Sequence, residues 1–285
     1  MFGMPLLLLG KVKLACYFQW RSLTWAKQFF ITGAGTGLGK GAAIGLAKKG
    51  HRVIASTELT SQKTELLREA NNLELDIEVI KVDITNPLDL EQIEKYDFDV
   101  FVANAAINER GPLGEVPMDR FRALFEVNVF ATLETVQIAA RKMVEKGSGK
   151  IVFMSSISGI FASPYNGAYA ATKHAIEAIA HTLQLELQGF GVKVATINPG
   201  AFKTGFNDRA AEELWKWYDE EKNFTKKEEI KKAEEGLKNQ FDPEDLIAKM
   251  VEIIPADHHK FRTAYPQQSE KQMKQEEQKG WEMDI

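Results

Sequence analysis

A tyrosine and a lysine stand four residues apart at Tyr169 and Lys173, in a segment whose residues predict a helix. Side chains at that spacing share one helix face, so the phenol and the ammonium are expected to be neighbours. A free phenol has a pKa near ~10, which is too high for an efficient base at neutral pH. A cation ~4 Å away, at an effective dielectric constant of ~20, lowers that pKa by roughly three units, and desolvation of the pair opposes the shift. The pair therefore predicts a group that can give and take a proton.

The same spacing recurs at Tyr218 and Lys222, so the pattern alone is not specific. This second pair lies in a highly charged segment, where a solvated helix face explains it. The first pair is distinguished by Ser156, which stands thirteen residues before Tyr169 at the end of an apolar, strand-like segment. Ligands of parallel α/β sheets bind at the carboxyl ends of the strands, where Ser156 is expected to lie.

A glycine-rich turn spans residues 32–39 with the sequence TGAGTGLG, which fits the pattern TGxxxGxG. The GxGxxG pattern does not fit in this register. Glycine permits a tight turn and lets backbone N–H groups approach a pyrophosphate, whose charge is favoured by the N-terminus of the following helix. Glycine-rich turns also occur for structural reasons alone, but a position directly after the first predicted strand favours dinucleotide binding.

The elements that must position these residues alternate along the chain from residue 28. Predicted strands cover residues 28–31, 52–55, 77–82, 100–103, 150–154, 192–197 and 261–265. Predicted helices run from the glycine-rich turn to 49, over 61–71, after 87, and over 119–146, 167–188 and 242–254. Apolar strands separated by helices imply βαβ units and a parallel sheet covered on both faces. The predicted fold class is α/β, with a doubly wound parallel sheet.

Three segments lie outside this alternation. Residues 202–240 are rich in Lys and Glu and carry apolar residues every three or four positions, which predicts one or two amphipathic helices. The polar tail, 267–285, is expected to be mobile apart from Trp281. Residues 1–27 are expected to form a poorly ordered N-terminal extension, and the alternative is a peripheral membrane anchor, because Leu, Phe and Trp mix there with Lys and Arg.

The composition excludes several classes of protein. The 285 residues are 44% hydrophobic and 27% charged, as in an ordinary soluble globular protein. A net charge of −4 provides no basic field for nucleic acid. The single cysteine, Cys16, excludes an internal disulfide, and the five histidines show no metal-binding spacing, so no metal is predicted. No segment is expected to span a membrane, and the predicted compartment is the cytoplasm.

Together the TGxxxGxG turn, the spacing of Ser156, Tyr169 and Lys173, and the segment Pro199-Gly200-x-x-x-Thr204 resemble the short-chain dehydrogenase/reductase family, over roughly residues 28–254. The resemblance implies a Rossmann-type single domain over 28–266, with 202–240 as a helical substrate-loop insertion. It also implies that the protein binds a nicotinamide cofactor and interconverts an alcohol and a ketone or aldehyde by hydride transfer.

The resemblance implies roles for individual residues. Tyr169 would be the general acid/base, and Lys173 would lower its pKa while binding the nicotinamide ribose. Ser156 would hydrogen-bond the substrate oxygen; Ser155 is adjacent, but the family spacing selects Ser156. Asn128 would support a proton-relay water beside the lysine, although without the resemblance a polar bridge within its helix would explain it nearly as well.

The resemblance also implies a set of cofactor contacts, in which Asp83 would meet the adenine amine. A helix cap is the alternative explanation of Asp83. The implied cofactor-binding residues are Gly33, Thr36, Gly37, Leu38, Gly39, Glu58, Asp83, Ile84, Asn104, Ala105, Tyr169, Lys173, Pro199, Gly200 and Thr204. Asn104 matches the sheet-stabilising asparagine of the family motif NNAG, and Ala103 and Ala106 depart from that motif.

The end of the second predicted strand bears on the choice of cofactor. Relatives that prefer NAD usually carry an acid there, and relatives that prefer NADP carry a basic residue there or in the glycine-rich turn. Here Thr57 occupies the position of the acid, Glu58 follows it, and Thr36 stands at the turn position that is often basic. A carboxylate repels the 2′-phosphate of NADP, so NAD is expected to be preferred over NADP.

The expected partner is a small-molecule alcohol or carbonyl substrate. Trp215, Trp217 and Tyr218 either form an apolar lid that favours a hydrophobic substrate or only anchor their helix. The family commonly pairs through the helices that carry Asn128 and Tyr169, so a homodimer or homotetramer is expected. Two alternative functions stay open, a non-catalytic dinucleotide-binding sensor and a sugar-nucleotide epimerase or dehydratase on the same scaffold.

Overall fold

A computed structural model describes residues 26–282, in which seven strands form one parallel sheet in the order β3-β2-β1-β4-β5-β6-β7. The strands are β1 Gln28–Ile31, β2 Arg52–Thr57, β3 Ile77–Lys81, β4 Val100–Ala103, β5 Gly149–Met154, β6 Val192–Pro199 and β7 Arg262–Tyr265. The strand order reverses direction between β1 and β4, which opens a crevice at the carboxyl ends of these strands. The doubly wound α/β fold is therefore confirmed.

Helices connect the strands and cover both faces of the sheet. They are α1 Gly37–Lys48, α2 Thr60–Asn72, α3 Pro87–Glu94, α4 Met118–Phe125, α5 Thr132–Lys146, α6 Gly167–Leu187, α7 Phe206–Leu214, α8 Lys227–Glu234, α9 Pro243–Ile253 and α10 Gln268–Glu282. Alternation within a strand divides the core into two layers. Phe29 and Ile31 pack on the side of α1 and α9, whereas Phe30 packs with α3, α5 and α6 on the other side.

The long helix that the sequence predicts over 119–146 is interrupted by a π-helical segment, Glu126–Ala131, between α4 and α5. Such segments place an extra residue in one helical turn and are frequent at functional sites. The continuous run Met118–Lys146 is long and apolar enough to cross a membrane, which the sequence reading had not expected. It is half buried and packs against β4, β5 and α3 as one layer of the fold, so its apolar character is that of a core helix.

The segment 202–240 forms two amphipathic helices, α7 and α8, as predicted. In the described chain, a large cavity opens at the carboxyl ends of the strands, and Trp215, Trp217 and Tyr218 do not line it. Each uses its polar atom elsewhere: Trp215 donates to Glu234, Trp217 to Glu109 and Tyr218 to the carbonyl of Thr225. The structure therefore supports the anchoring interpretation of these aromatic residues and not the lid.

Residues 268–282 of the polar tail form a helix, α10, which the sequence does not predict. Ser269 and Met273 are buried, whereas Trp281 is 89% exposed. The side chains that pack α10 against the rest of the protein are therefore Ser269 and Met273, and not Trp281 as the sequence predicts. The proposed N-terminal extension and membrane anchor lie outside the described residues, except for Ala26 and Lys27. Lys27 contacts the domain. Its ammonium pairs with Asp257 at 2.5 Å and donates to the carbonyl of Pro255, which makes residue 27 part of the domain.

Candidate active site

A cavity of about 830 Å³ opens at the carboxyl ends of the strands. It is lined by every residue that the sequence reading assigned to cofactor or catalysis except Asn128: Gly33, Thr36, Gly37, Leu38, Gly39, Glu58, Asp83, Ile84, Asn104, Ala105, Ser156, Tyr169, Lys173, Pro199, Gly200 and Thr204. These residues lie on the segments that follow β1 to β5, on α1 and α6, and at and after the end of β6, so the fold brings distant parts of the sequence to one place. In residues 26–282, no group of three or more His, Cys, Asp or Glu side chains could hold a metal ion.

The glycine-rich turn is bound tightly to the end of β4. A side chain at Gly33, whose φ is +63°, would place its Cβ 2.6 Å from the Cα of Ala105. Asn104 donates from Nδ2 to the carbonyls of Thr32 and Gly33, at 2.9 and 3.0 Å, and its backbone N–H donates to the hydroxyl of Thr32. The turn leaves the first N–H groups of α1 without intrahelical acceptors and facing the cavity wall, which suits a pyrophosphate.

Ser156, Tyr169 and Lys173 lie together at the other wall, with exposed fractions of 8%, 8% and 3%. The Lys173 ammonium donates to the carbonyl of Met154 at 2.8 Å and lies 5.5 Å from the centre of the Tyr169 ring. The Ser156 hydroxyl accepts from the N–H of Ser158 at 3.1 Å and donates weakly to the carbonyl of Pro199 at 3.4 Å. The edge of Phe206 packs against the Tyr169 ring, with 5.9 Å between ring centres, and helps to exclude water.

Burial dominates the electrostatics of this cluster. It raises the pKa of Tyr169 above its ordinary value of 10, and the hydrogen bond with Ser156 opposes this only in part. Burial also lowers the pKa of Lys173 to about 8, against the charge of Glu177, which raises it. The net depression of the Tyr169 pKa that the sequence predicts is therefore not found in the protein without a bound ligand, because desolvation dominates. The phenol is protonated at neutral pH.

Asn128 lies behind the cavity, in the π-helical segment. Its side chain accepts from the N–H of Ile107 and donates to the carbonyl of the same residue, both at 2.9 Å, and it also donates to the hydroxyl of Thr172 at 3.2 Å. Asn128 thus clamps the loop after β4 against α6, at the residue that directly precedes Lys173 and lies about one turn after Tyr169. This arrangement bridges two elements and is not a polar bridge within one helix.

The end of the cavity next to β2 and β3 is acidic. Glu58 is exposed and lines it, whereas Thr57 is fully buried and turns its hydroxyl to the carbonyl of Leu59 at 3.2 Å. Asp83 accepts from both the N–H and the hydroxyl of Thr85 while it lines the cavity. Asp83 does not cap the following helix, because Asn86 accepts from the N–H of Leu88 there.

A buried polar chain behind Ser156 was missed by the sequence analysis. The amide of Asn198 donates to the carbonyl of Ser156 at 3.0 Å and to Glu177 at 2.6 Å. Glu177 in turn receives two hydrogen bonds from Arg262 of β7, at 2.8 and 3.0 Å. Glu177 lies eight residues after Tyr169 on α6, and this spacing along an apolar helix is the signal that could have indicated it.

The end of the cavity nearest α8 was also missed. Asn108, Arg110, Ser158 and Asn166 line it, on loops that carry no motif. Their approach depends on contacts between segments far apart in sequence, so the sequence pattern offered no signal for them.

Comparison with known proteins places this arrangement in a family. The family profile described as short chain dehydrogenase matches residues 27–215. The oxidoreductase YusZ of Bacillus subtilis is 34% identical over 182 residues, which are 61% of this chain and 64% of that protein. A diacetyl reductase [(S)-acetoin forming] from Staphylococcus epidermidis is 32% identical over 67% of this chain and 77% of its own length. A 3-ketodihydrosphingosine reductase from Bacteroides thetaiotaomicron is 30% identical over 82% of this chain and 85% of its own length.

Solved structures agree with this placement. A short-chain dehydrogenase from Streptomyces avermitilis superposes with a TM-score of 0.75 at 25% identity, covering 91% of this chain and 94% of that one. The same fold is found in a Burkholderia phymatum protein in complex with NAD (TM-score 0.74, 19% identity, 91% and 96% covered). It is also found in a Sphingobium yanoikuyae dehydrogenase in complex with NADPH (TM-score 0.71, 21% identity, 91% and 96% covered). The chain belongs to the short-chain dehydrogenase/reductase family of oxidoreductases.

Proposed function

We propose that the protein interconverts an alcohol and a ketone or aldehyde with a nicotinamide cofactor, and that Tyr169 is the general acid/base. The observation that carries the proposal is the burial of Ser156, Tyr169 and Lys173 at one wall of a cavity whose other wall is the glycine-rich turn. A proton donor and a turn that suits a phosphate group therefore line the same cavity.

The cavity fits a dinucleotide on its own geometry. Gly33 and Gly37 adopt positive φ values, +63° and +56°, and the first residues of α1, whose N–H groups have no intrahelical acceptors, line the cavity and could bind a pyrophosphate. When bound, the nicotinamide ring would accept or supply the hydride. Thr36, Leu38 and Gly39 would hold the pyrophosphate with Pro199 and Gly200 as the opposite wall, and Thr204 would close the turn beside Gly37.

The chain's own groups account for the proton transfer. In the reductive direction the Tyr169 phenol, which is protonated at neutral pH, donates its proton to the substrate oxygen. The Ser156 hydroxyl, oriented by the N–H of Ser158, hydrogen-bonds the same oxygen and stabilises the charge that develops there. Lys173 supplies a positive charge near the phenol that favours its ionised form after the transfer. Asn128 holds the loop that closes the site above them.

We also propose that NAD is preferred over NADP. The adenine end is lined by the carboxylates of Glu58 and Asp83, and no lysine or arginine in the described part of the chain lines that end. The nearby cations Lys40 and Lys81 are paired with Glu69 and Asp89 instead. A 2′-phosphate would therefore meet repulsion without compensation.

A non-catalytic sensor is the weaker alternative, because the positions of the proton donor, the lysine and the serine are all filled and are buried together. No observation in the described residues favours an epimerase or dehydratase over an oxidoreductase.

Association into a homodimer or homotetramer is part of the proposal. Phe130, beside Asn128, and Leu185, on α6, are 54% and 58% exposed, and burial of such side chains favours association. Size-exclusion chromatography that gives a 32.0 kDa monomer would contradict this part.

The test combines binding and turnover. NADH and NADPH are titrated separately by quenching of tryptophan fluorescence, and NADH consumption is then followed with diacetyl, 2-pentanone, benzaldehyde and 4-oxopentanoate. We expect tighter binding of NADH than of NADPH and turnover of at least one carbonyl compound. Failure to bind either cofactor would overturn the proposed function, and a preference for NADPH would overturn only the cofactor choice.

A further inference from the structure

The cavity has two chemically different ends. Beyond Tyr169 the cavity is bounded by the loop after β4 and by the segment that leads into α6. A hydrogen bond from the N–H of Gly111 to the carbonyl of Tyr165, at 2.9 Å, holds these two segments together. Ala233 and Leu237, at the end of α8 and just after it, complete this end. It lies away from Glu58 and Asp83, so the space next to the proton donor is available to the substrate.

Arg110 lines this substrate end and is half-buried. Among residues 26–282, no carboxylate lies within 4.0 Å of its guanidinium, whereas the neighbouring Arg120 pairs with Glu109 and Glu213 at 3.1 and 3.3 Å. Glu234 acts on Arg110 only through its charge, and its carboxylate accepts from the indole of Trp215 at 3.2 Å. An arginine withdrawn from water without a partner is costly unless a ligand supplies the anion.

The backbone on both sides of Arg110 is fixed. Glu109 is held by Arg120 and by the indole of Trp217, which donates to it at 2.9 Å. Gly111, with φ of +137°, packs so closely that a Cβ there would meet the Trp217 ring at 2.5 Å. The guanidinium is therefore presented to the cavity by a rigid loop, which reduces the ordering cost of binding.

Two amide oxygens at the same end lack hydrogen-bond donors. The Oδ1 atoms of Asn108 and Asn166 are buried and have no partner in the described chain, and the Nδ2 of Asn166 already donates to Ser158 at 3.0 Å. Both residues line the cavity. Both oxygens are closed to solvent, so the charged group that a substrate can reach at this end is the guanidinium of Arg110.

The charges that line the substrate end sum to a positive value. Lys173, Arg110, Arg120 and Arg209 face Glu109 and Glu213, and both of these carboxylates are engaged by Arg120. Apolar side chains such as Leu124 and Phe161 lie between the polar groups and suit a short carbon skeleton.

We propose that the substrate is a carboxylate-bearing alcohol or ketone, with Arg110 binding the carboxylate. This inference rests on the proposed function, because it concerns the molecule on which Tyr169 acts. It replaces the expectation of a hydrophobic substrate that the aromatic residues 215, 217 and 218 had suggested. Arginine presents a planar pair of donors that matches a carboxylate, which makes Arg110 the specificity-determining residue.

The test uses matched pairs of ligands that differ in the carboxylate. The NAD-loaded enzyme is titrated calorimetrically with 4-oxopentanoate and 2-pentanone, and the NADH-loaded enzyme with 3-hydroxybutanoate and 2-butanol, because no hydride can be transferred in these complexes. We expect the carboxylate member of at least one pair to bind about tenfold or more tightly than the neutral member, because a hydrogen-bonded charge contributes at least that factor. Arg110→Gln is expected to abolish the difference, Arg110→Lys to keep part of it, and Arg122→Gln, an exposed arginine outside the cavity, to leave it unchanged.

The possible outcomes distinguish a failure of this inference from a failure of the proposed function. Equal binding within both pairs, no carboxylate binding at 20 mM (about twentyfold above the upper end of ordinary KM values), or an unchanged preference in Arg110→Gln would overturn the inference while NADH still bound. Binding of inorganic phosphate alone at Arg110, with no carboxylate preference, would also overturn it. Loss of NADH binding in the wild-type protein would instead count against the proposed function.

Discussion

The ammonium of Lys173 lies 5.5 Å from the centre of the Tyr169 ring and is held there by the carbonyl oxygen of Met154. Both groups are almost completely withdrawn from water. A buried cation that is hydrogen-bonded to one carbonyl is unfavourable for folding, so we expect Lys173 to be retained for function at the expense of stability.

The first prediction follows from the pKa of Lys173, which burial lowers from 10.5 to about 8. Below pH 8 the lysine is protonated in the folded and unfolded states, and its burial destabilises the fold. Between pH 8 and 10.5 the folded state binds fewer protons than the unfolded state, so stability rises with pH. Lys173→Met should raise the free energy of unfolding at pH 7 by about 2 kcal/mol, the ~3 kcal/mol of desolvation less ~1 kcal/mol for the lost hydrogen bond.

Urea unfolding at pH 7 and pH 10 measures this effect, with the exposed Lys48→Met as the control. The variant should also show a smaller gain in stability between the two pH values than the wild type. Some gain will remain, because burial lowers the pKa of Lys150 to about 8 as well. A Lys173→Met protein that is less stable than the wild type at pH 7 would show that the lysine is not destabilising.

The second prediction concerns the ionisation of Tyr169. Burial raises its pKa above 10, so the cofactor-free protein should show no ionisation of this tyrosine below pH 10. The measurement is an ultraviolet titration of tyrosinate absorbance in the wild type and in Tyr169→Phe, since the difference isolates one residue among six. A transition below pH 9 that disappears in the variant would mean that the charge of Lys173 outweighs desolvation.

The third prediction tests the acidic end of the cavity. Glu58→Gln should increase NADPH affinity several-fold and decrease NADH affinity slightly, because removal of one exposed charge changes the interaction with a phosphate by about 1 kcal/mol. Fluorescence titrations of the two cofactors measure both changes. Glu91→Gln, an exposed glutamate outside the cavity, is the matched control. Unchanged NADPH affinity in Glu58→Gln would mean that Glu58 does not determine the choice between NAD and NADP.

The fourth prediction concerns Asn128 as a positioning residue. Asn128→Ala removes both hydrogen bonds to Ile107 and the one to Thr172, and should lower the free energy of unfolding by about 2 kcal/mol. Because the clamped loop leads to Asn108 and Arg110, kcat/KM for the substrate should fall more than tenfold while NADH affinity changes little. The surface variant Asn71→Ala should affect neither. An equal loss of NADH affinity would indicate general disruption of the fold.

Sequence patterns predicted most of the fold because its strands are short apolar runs between helices. β1 and β4 have the predicted bounds, since their apolar residues end where polar or glycine residues begin. β6 is longer than predicted because Pro199 pairs with Tyr265 of β7, a contact that local patterns do not contain. α10 was missed because only Met273 and Ser269 bury one face of an otherwise polar helix, which leaves almost no apolar periodicity.

The residues of the site also fall into those that sequence patterns predict and those that they do not. Residues in motifs with fixed spacing, such as Tyr169, Lys173 and the turn glycines, could be located from sequence, and the fold brings them together. Arg110 could not be located, because its exposure to the cavity depends on Tyr165 and Trp217, which lie 55 and 107 residues further along the chain. The direction of the Tyr169 pKa also required the structure, since desolvation depends on packing against Phe206 and other distant residues.

The central claim is that Tyr169 transfers the proton in a nicotinamide-dependent reaction, and the two Tyr-x-x-x-Lys pairs provide its most direct test. Tyr169→Phe and Tyr218→Phe each remove one hydroxyl; that of Tyr218 donates to the carbonyl of Thr225, outside the cavity. NADH consumption is followed at 340 nm with the best carbonyl substrate, together with NADH binding by fluorescence. The account predicts that Tyr169→Phe loses roughly 10²–10⁴-fold in kcat and still binds NADH, whereas Tyr218→Phe retains wild-type turnover. Turnover by Tyr169→Phe within a few-fold of the wild type would contradict it.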